Sequence, residues 1–574
     1  MRNWIRRLSL LTISTLPFVS STQAQNSAPP AAQSPTIQAQ VRAVLVDVVV
    51  TKGNQPALHL QQQDFQILDN GKPQAINFFQ ENTAASPSAV PITPPLPPQE
   101  FTNQPVTPPG TQVTVLLLDK LTTHAADQAA FLEGVRGFVR GLRPGTPVAV
   151  FTLTSRLHLV QGFTGDPARL QAAMSGKSAP EPGNTAFAHT AQDDALDRVQ
   201  AAGMAAFLGI RDDSAAPMNQ FRANERSSLT LQALNQLSRF LAGIPGRKSL
   251  IWYASDFPLA IFPDARAGQT LAQDRALSSE LRTTAALLAA ARVAVYPVSA
   301  GGIANDNWTQ AADKVENASI DGMKQQTASD QGARAANIAA MEQIATDTGG
   351  RAIYTTNNLE KATTDAMQNG AHYYTLAYTP TNLQPDGSFH RIEVRLQDRK
   401  EKLEYRRGYF ADDSAAPAAG ADPLIPLLAD GMPSSTQIQY RVSAAPASSQ
   451  PASGAPAAGG NQQLTGPFTR YFVNMIVPAD ALDLAAAPDG AHSGNIEVAL
   501  VAYDHNGKAI NWTGGASSIH LTSSSWAAAQ QQGIPLRLQV DLPHEPLLLA
   551  TGIYNPKTRK AGTLEFPLDG IAQP

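Results

Sequence analysis

Residues 114–128, TVLLLDKLTTHAADQ, decide how the chain is read. An apolar run of strand length ends in Asp119, a polar loop follows, and the pattern then turns helical. In open parallel α/β sheets, ligands and ions sit at the carboxyl ends of strands, because loops meet helix N-termini along that edge. Asp119 stands where such a site forms, and the question is whether it binds something.

Downstream, HAADQAAFLEGVRGFVRGL places Phe131, Val135, Phe138, Val139 and Leu142 at spacings of three and four, one face of a helix. Strand PVAVFTL, helix DPARLQAAM, helix SSLTLQALNQLSRFLAGI, strand KSLIWYAS, helix ELRTTAALLAAAR and strand VAVYPVS follow. Helix AANIAAMEQIATDTGG stops at Gly349-Gly350, ahead of a short RAIY strand and helix LEKATTDAMQNG. Strands alternating with helices predict an α/β fold with a doubly wound, mainly parallel, Rossmann-like sheet. The runs HYYTLAYTP, HRIEVRL and LEYRRGYF add a β extension.

Upstream, VRAVLVDVVV, DFQIL and AINFF read as strands with turns at Gly53-Asn54 and Asn70-Gly71, a small N-terminal β module. Asp64 and Asp69 read there as solvated turn residues. Beyond about residue 421, QIQYRVS, RYFVNMIVP, GNIEVALVAYD, SIHLTSS, PLRLQVDLP and LLLATGIYN predict a C-terminal β-sandwich-like domain. Tracts rich in Pro, Ala and Ser lack the large apolar residues a core needs and read as spacers. The resulting map is 1–24 leader, 25–36 linker, 37–82 N-terminal β module, 83–110 Pro-rich linker, 111–370 α/β domain, 371–411 β extension, 412–420 linker and 421–574 C-terminal domain.

MRNWIRR, then LSLLTISTLPFV, then SSTQAQ is the charged, apolar and cleavage-site order of a secretory signal peptide, with an apolar run short for a membrane anchor. It predicts a secreted or periplasmic protein with no transmembrane segment in the mature chain. The formal net charge is −4 over 574 residues, and loss of Arg2, Arg6 and Arg7 with the leader makes it more negative. That argues against a nucleic-acid partner. With no cysteine, disulfides, thiolate nucleophiles and Cys-ligated metals are excluded.

In the order LLLD, VAVFTLTSRLHLVQGFT, GRKSLIWYASDFP, ARVAVYPVSAGG, IATDTGGRAIY, YYTLAYTPT and RRGYFA, the sequence resembles the von Willebrand factor type A (VWFA) domain proteins abundant in Acidobacteria, from about Val41 to Ala411. The resemblance implies an adhesion module with a metal-ion-dependent site made from a DxSxS loop, a Thr on a middle loop and a late Asp. Carried over, Asp119 is the first Asp, Thr123 the last hydroxyl, Asp256 the late Asp, and Thr185 in PEPGNTAF the middle Thr. The implied ion is Mg²⁺, or Mn²⁺ or Ca²⁺, bound by oxygen ligands and open to a partner's carboxylate. Leu121 stands where the first Ser hydroxyl belongs, and Lys120 adds a competing ammonium. The alternative to a working ion site is a degenerate loop in which Asp119 caps the next helix or pairs with Lys120.

Catalytic motifs of the GxSxG, HExxH, P-loop and GxGxxG kinds do not occur in suitable contexts. His158, His189, His372 and His390 lack metal-ligand spacing, and Asp193, Asp194 and Asp197 read as a solvated helix face in a segment, about 178–225, with no evident place in the sheet. The expected function is an interaction or adhesion module for an extracytoplasmic protein partner, with a degenerate or partial metal site and no catalysis. The alternatives are a metal-dependent hydrolase built on Asp119 and Asp256, and a metal-free structural scaffold.

Overall fold

The computed structural model describes residues 43–568 except 54, 84–95, 98, 106–111, 124–127, 143–145, 175–214, 256, 258–274, 300–334, 336, 355–358, 383–387, 398–400, 412–423, 449–456, 462 and 465. The leader and first linker, Thr185, His189, Asp193, Asp194, Asp197, Asp256 and most of the 178–225 segment lie outside the described residues. So do the centres of the Pro- and Ala-rich tracts near residues 90, 415 and 450.

Five strands surround the stretch that opened the reading: β1 (Val113–Asp119), β2 (Val148–Leu153), β3 (Leu157–Thr164), β4 (Lys248–Ala254) and β5 (Val293–Ser299). Every residue of β1, β2 and β4 is buried, which is why these strands read as continuous apolar runs rather than alternating ones. The order across the sheet is β5-β4-β1-β2-β3, with Val115 opposite Leu250 on one side and Ala149 on the other. Helices α1 (Gln128–Gly141), α2 (Pro167–Met174), α3 (Ala215–Ala242), α4 (Arg275–Ala290) and α5 (Leu359–Gly370) complete this layer. Val115 and Leu117 of β1 face Leu234, Leu237 and Leu241 of α3 and Leu288 of α4. Leu116 and Leu118 face Val135, Phe138 and Val139 of α1 and Ala366 of α5.

The doubly wound, mainly parallel sheet expected from the alternation of elements is not the architecture of the chain. Four of the five sheets among the described residues are wholly antiparallel, and parallel strand pairs are confined to β1–β2, β1–β4 and β4–β5. Even there the edge strand β3 runs antiparallel to β2. The cause is connection length, since a parallel neighbour needs a crossover of a dozen or more residues and a tight turn permits only an antiparallel return. Residues 154–156 are too few to cross over, and β3, absent from the expected run of strands between PVAVFTL and DPARLQAAM, is the result.

The N-terminal strands do not form a sheet by themselves. Val44–Lys52 pairs with Tyr373–Tyr378, which also pairs with Ile76–Asn82, while Phe65–Asp69 pairs with Phe389–Leu396. One apolar cluster joins Val46, Val48 and Ile67 to Leu376, Tyr378 and Ile392. The Asn70-Gly71 turn is present, both residues at positive φ (47° and 78°) between the paired Asp69 and Lys72. Asp69 itself is not solvated. It is buried, and its carboxylate meets Tyr378 Oη at 2.9 Å, Tyr409 Oη at 2.9 Å and His390 Nδ1 at 3.0 Å. Strand pairing placed the NG turn correctly and left its first flanking residue facing the core.

Glu100–Thr102, inside the tract read as a linker, is a strand paired with residues 441–443 of the C-terminal region. There, two antiparallel sheets share one core, with Val442, Val473 and Met475 from one and Val498, Leu500 and Leu549 from the other. Among the described residues no helix is long and apolar enough to cross a membrane.

Candidate functional site

β1 delivers Asp119 to the carboxyl edge of the central sheet, and the chain turns at once. The amides of Lys120 and Leu121 both donate to Leu153 O, at 2.9 and 3.1 Å, so the loop folds back over the end of β2. Leu121, Thr122 and Thr123 are all buried, and the Leu121 side chain joins the core on the α3 face. Asp119 is 0% exposed.

Its carboxylate is occupied. Thr122 N–H donates to Oδ1 at 3.0 Å and Trp252 Nε1–H donates to Oδ2 at 3.0 Å. Thr123 turns its hydroxyl inward to donate to the backbone oxygen of Asp119. The buried Thr122 hydroxyl has no hydrogen-bond partner of ordinary geometry, yet lies close enough to the carboxylate to favour its charged form. Burial outweighs all of these donors and pushes the Asp119 carboxyl up to about 6.

Trp252 was not singled out as a site residue, although a buried indole N–H calls for an acceptor and β4 runs beside β1. Its ring meets Phe257 edge-on at 4.9 Å. The loop after β4 is pinned by Asn337, whose Oδ1 accepts from Phe257 N–H at 2.8 Å and whose Nδ2 donates to Ser255 O at 2.6 Å. A sequence reading has no signal for Asn337, because its partners lie about eighty residues away.

Of the four positions carried over from the resemblance, the structure brings Asp119 and Thr123 together, while Asp256 and Thr185 fall outside the described residues. The described residues offer a hard divalent cation one carboxylate, each of whose oxygens already accepts an N–H, and the Thr122 hydroxyl; Thr123 is spent on the backbone and Leu121 is core, a smaller oxygen set than such an ion takes. Among the described residues no group of three His, Asp or Glu side chains gathers to hold a metal.

No family model matches the chain, and no curated protein matches it. Among solved structures it is similar to an aerotolerance-related membrane protein from Bacteroides fragilis, at 11% identity and a TM-score of 0.24 over 45% of this chain and 98% of that one. It is similar to the conserved hypothetical protein BatB from Bacteroides thetaiotaomicron, at 11% identity and a TM-score of 0.22 over 45% of this chain and 98% of that one. A third likeness, to proximal thread matrix protein 1 from the mussel byssus, has 11% identity and a TM-score of 0.20 over 45% of this chain and 47% of that one. At these values none of the three bears on what the chain does.

Proposed function

We propose that the chain is an extracytoplasmic protein-binding scaffold of von Willebrand type A character whose Asp119 edge works without a metal. The observation that carries the metal-independent reading is the double occupation of the Asp119 carboxylate by Thr122 N–H and Trp252 Nε1–H. Asp119 here locks the loop after β1 to β4. The leader-like N-terminus and the resemblance running from LLLD to RRGYFA support the extracytoplasmic and binding parts.

A surface for the partner lies elsewhere. Leu45, Ala377 and Phe78 occupy one row across three neighbouring strands, and the outer two side chains are 42% and 46% exposed. Leu45 and Phe78 flank the buried Ala377 on one sheet face, and exposed large apolar side chains sharing a face mark an interaction surface more often than scattered ones do. The strand bearing Phe78 is also the outermost of its sheet among the described residues.

Two measurements test the proposal. Isothermal titration of Mg²⁺ and Mn²⁺ into the full chain is expected to give only the heat of dilution; saturable heat would return the site to the metal-dependent class. Affinity capture from an extracytoplasmic fraction is expected to retain its partner in EDTA and lose it in the Leu45→Ser, Phe78→Ser double variant. Partner loss in EDTA, or retention by the variant, would contradict it.

A further inference from the structure

At the opposite edge of the central sheet, where β4 and β5 begin, cations accumulate. Arg247 and Lys248 open β4, Arg292 precedes β5, and Arg406 arrives from the chain between Lys402–Glu404 and Gly408–Phe410. With Asp47, Asp347 and Thr348, the three arginines line a small cleft that opens to solvent.

Each cation has a different status. Arg292, held at φ 53° just past α4, is neutralised by Asp47: Nε donates to Oδ2 at 2.8 Å and Nη2 to Oδ1, with Thr375 Oγ1 accepting from Nη2 at 2.9 Å. Arg247 has no carboxylate in contact among the described residues and donates to neutral oxygens, Gly349 O at 2.6 Å, Gly370 O at 3.3 Å and Tyr296 Oη at 3.0 Å. The two glycines end helices, so Arg247 ties down the carbonyl ends of helix 337–348 and α5. Arg406 spends Nη2 on Leu45 O at 2.6 Å, and its buried Nε has no hydrogen-bond partner among the described residues. It has no ion-pair contact among the described residues either, and burial holds its guanidinium below the ordinary range. Lys248, almost fully buried near Arg292 and Asp47, is pushed down to about 7 by burial, with Arg292 adding to the effect.

We infer that this cleft binds a phosphate dianion, free or as a phosphomonoester, with Arg406 as the principal contact. Arg247 and Arg406, the two guanidiniums without a contacting carboxylate, carry the charge that a dianion balances. A desolvated, unpaired cation is unfavourable, and a buried N–H without an acceptor adds to that. An oxyanion answers both, because a guanidinium's parallel N–H groups match phosphate oxygens in pairs. Asp347 lines the same cleft, but its Oδ2 accepts from Gln343 Nε2 at 2.8 Å, and Asp47, bonded to Arg292, reaches Arg406 through space without contacting it. The inference stands apart from the Asp119 edge, and it adjoins the Leu45–Phe78 row, since Leu45 also lines this cleft.

Isothermal titration of inorganic phosphate into the full chain near neutral pH tests it, with glycerol phosphate as the monoester arm and acetate and chloride at matched ionic strength as controls. Saturable heat is expected for phosphate and not for acetate or chloride. Heat with glycerol phosphate as well would assign the site to phosphomonoesters, and heat with inorganic phosphate alone to the free ion. Arg406→Gln is expected to weaken binding about tenfold or more, the effect of losing one charge-assisted contact. Arg406→Lys, which keeps the charge but not the fork, should recover part of that loss, separating a ligand contact from a folding defect. No saturable heat with either phosphate, equal responses to phosphate and chloride, or unchanged affinity in Arg406→Gln would overturn the proposal.

Discussion

Replacing Asp69 by Ala is expected to speed amide hydrogen exchange in Phe65–Asp69 and Phe389–Leu396 about a hundredfold or more, because removing the central acceptor of a buried polar network costs about 3–5 kcal/mol. Three groups converge on this one carboxylate: the phenols of Tyr378 and Tyr409 on Oδ2, and His390 Nδ1 on Oδ1. Burial, with the Asp69 charge beside them, pushes both phenols up, so they remain hydrogen-bond donors at any pH the chain survives. Without the carboxylate, the buried Tyr378 hydroxyl, the half-buried Tyr409 hydroxyl and the His390 imidazole lose their shared partner at once, and only the 3.1 Å contact between Tyr409 Oη and His390 Nδ1 remains. Tyr409→Phe removes a single donor and should lower local stability by only about 1 kcal/mol. The affected strands are separated by more than three hundred residues of chain, so faster exchange in both segments together would show that the cluster joins them. Exchange in Asp69→Ala no faster than in Tyr409→Phe would mean that the apolar cluster around Val46 and Ile67 carries the junction alone.

That junction marks where the sequence stopped being readable. The apolar runs of β1, β2 and β4 are visible because strands buried on both faces have no polar positions to interrupt them. Periodicity says which residues form a strand and nothing about its partner, so Val44–Lys52 could be recognised while its pairing with Tyr373–Tyr378 could not. Asp69 was misread for the same reason. Next to an Asn-Gly step an aspartate looks like a turn residue, and only the arrival of Tyr378, His390 and Tyr409 makes it part of a core. At the opposite end, Leu121 was a legible warning, since a leucine in place of a hydroxyl cannot hold a hard cation and has instead gone into the core. The Trp252 donor that occupies Asp119 was within reach as well, because a tryptophan in the middle of a buried strand must find an acceptor. The arginine cleft was out of reach, since its lining comes from five separated parts of the chain.

The buried state of Asp119 has a signature in pH. The carboxyl titrates at 3.8 when unperturbed and at about 6 in the folded chain. A raised folded value means that the native state holds the proton more tightly than the unfolded chain, so this residue's stabilising share is fully present below 3.8 and is lost as pH rises through about 6. The loss amounts to about 3 kcal/mol in all, of which about 2 kcal/mol falls between roughly pH 4 and pH 7. Asn at the same position cannot ionise. Its amide group must face one of the two N–H donors, from Thr122 or Trp252, and that penalty is the same at every pH. The stability of the parent chain relative to Asp119→Asn should therefore fall by about 2 kcal/mol between roughly pH 4 and pH 7 and stay level above it. Hydrogen exchange in Lys248–Ala254, corrected for intrinsic rates, reads this difference locally and does not require the whole chain to unfold in one step. Other titrating groups cancel in the comparison. An identical pH response in the two chains would mean that water or a counter-charge reaches Asp119. A divalent cation at this site would act the opposite way, drawing Asp119 into its charged form and cancelling the loss near neutral pH, so adding Mg²⁺ should leave the difference between the two chains unchanged if Thr122 and Trp252 are the partners on which the carboxylate relies.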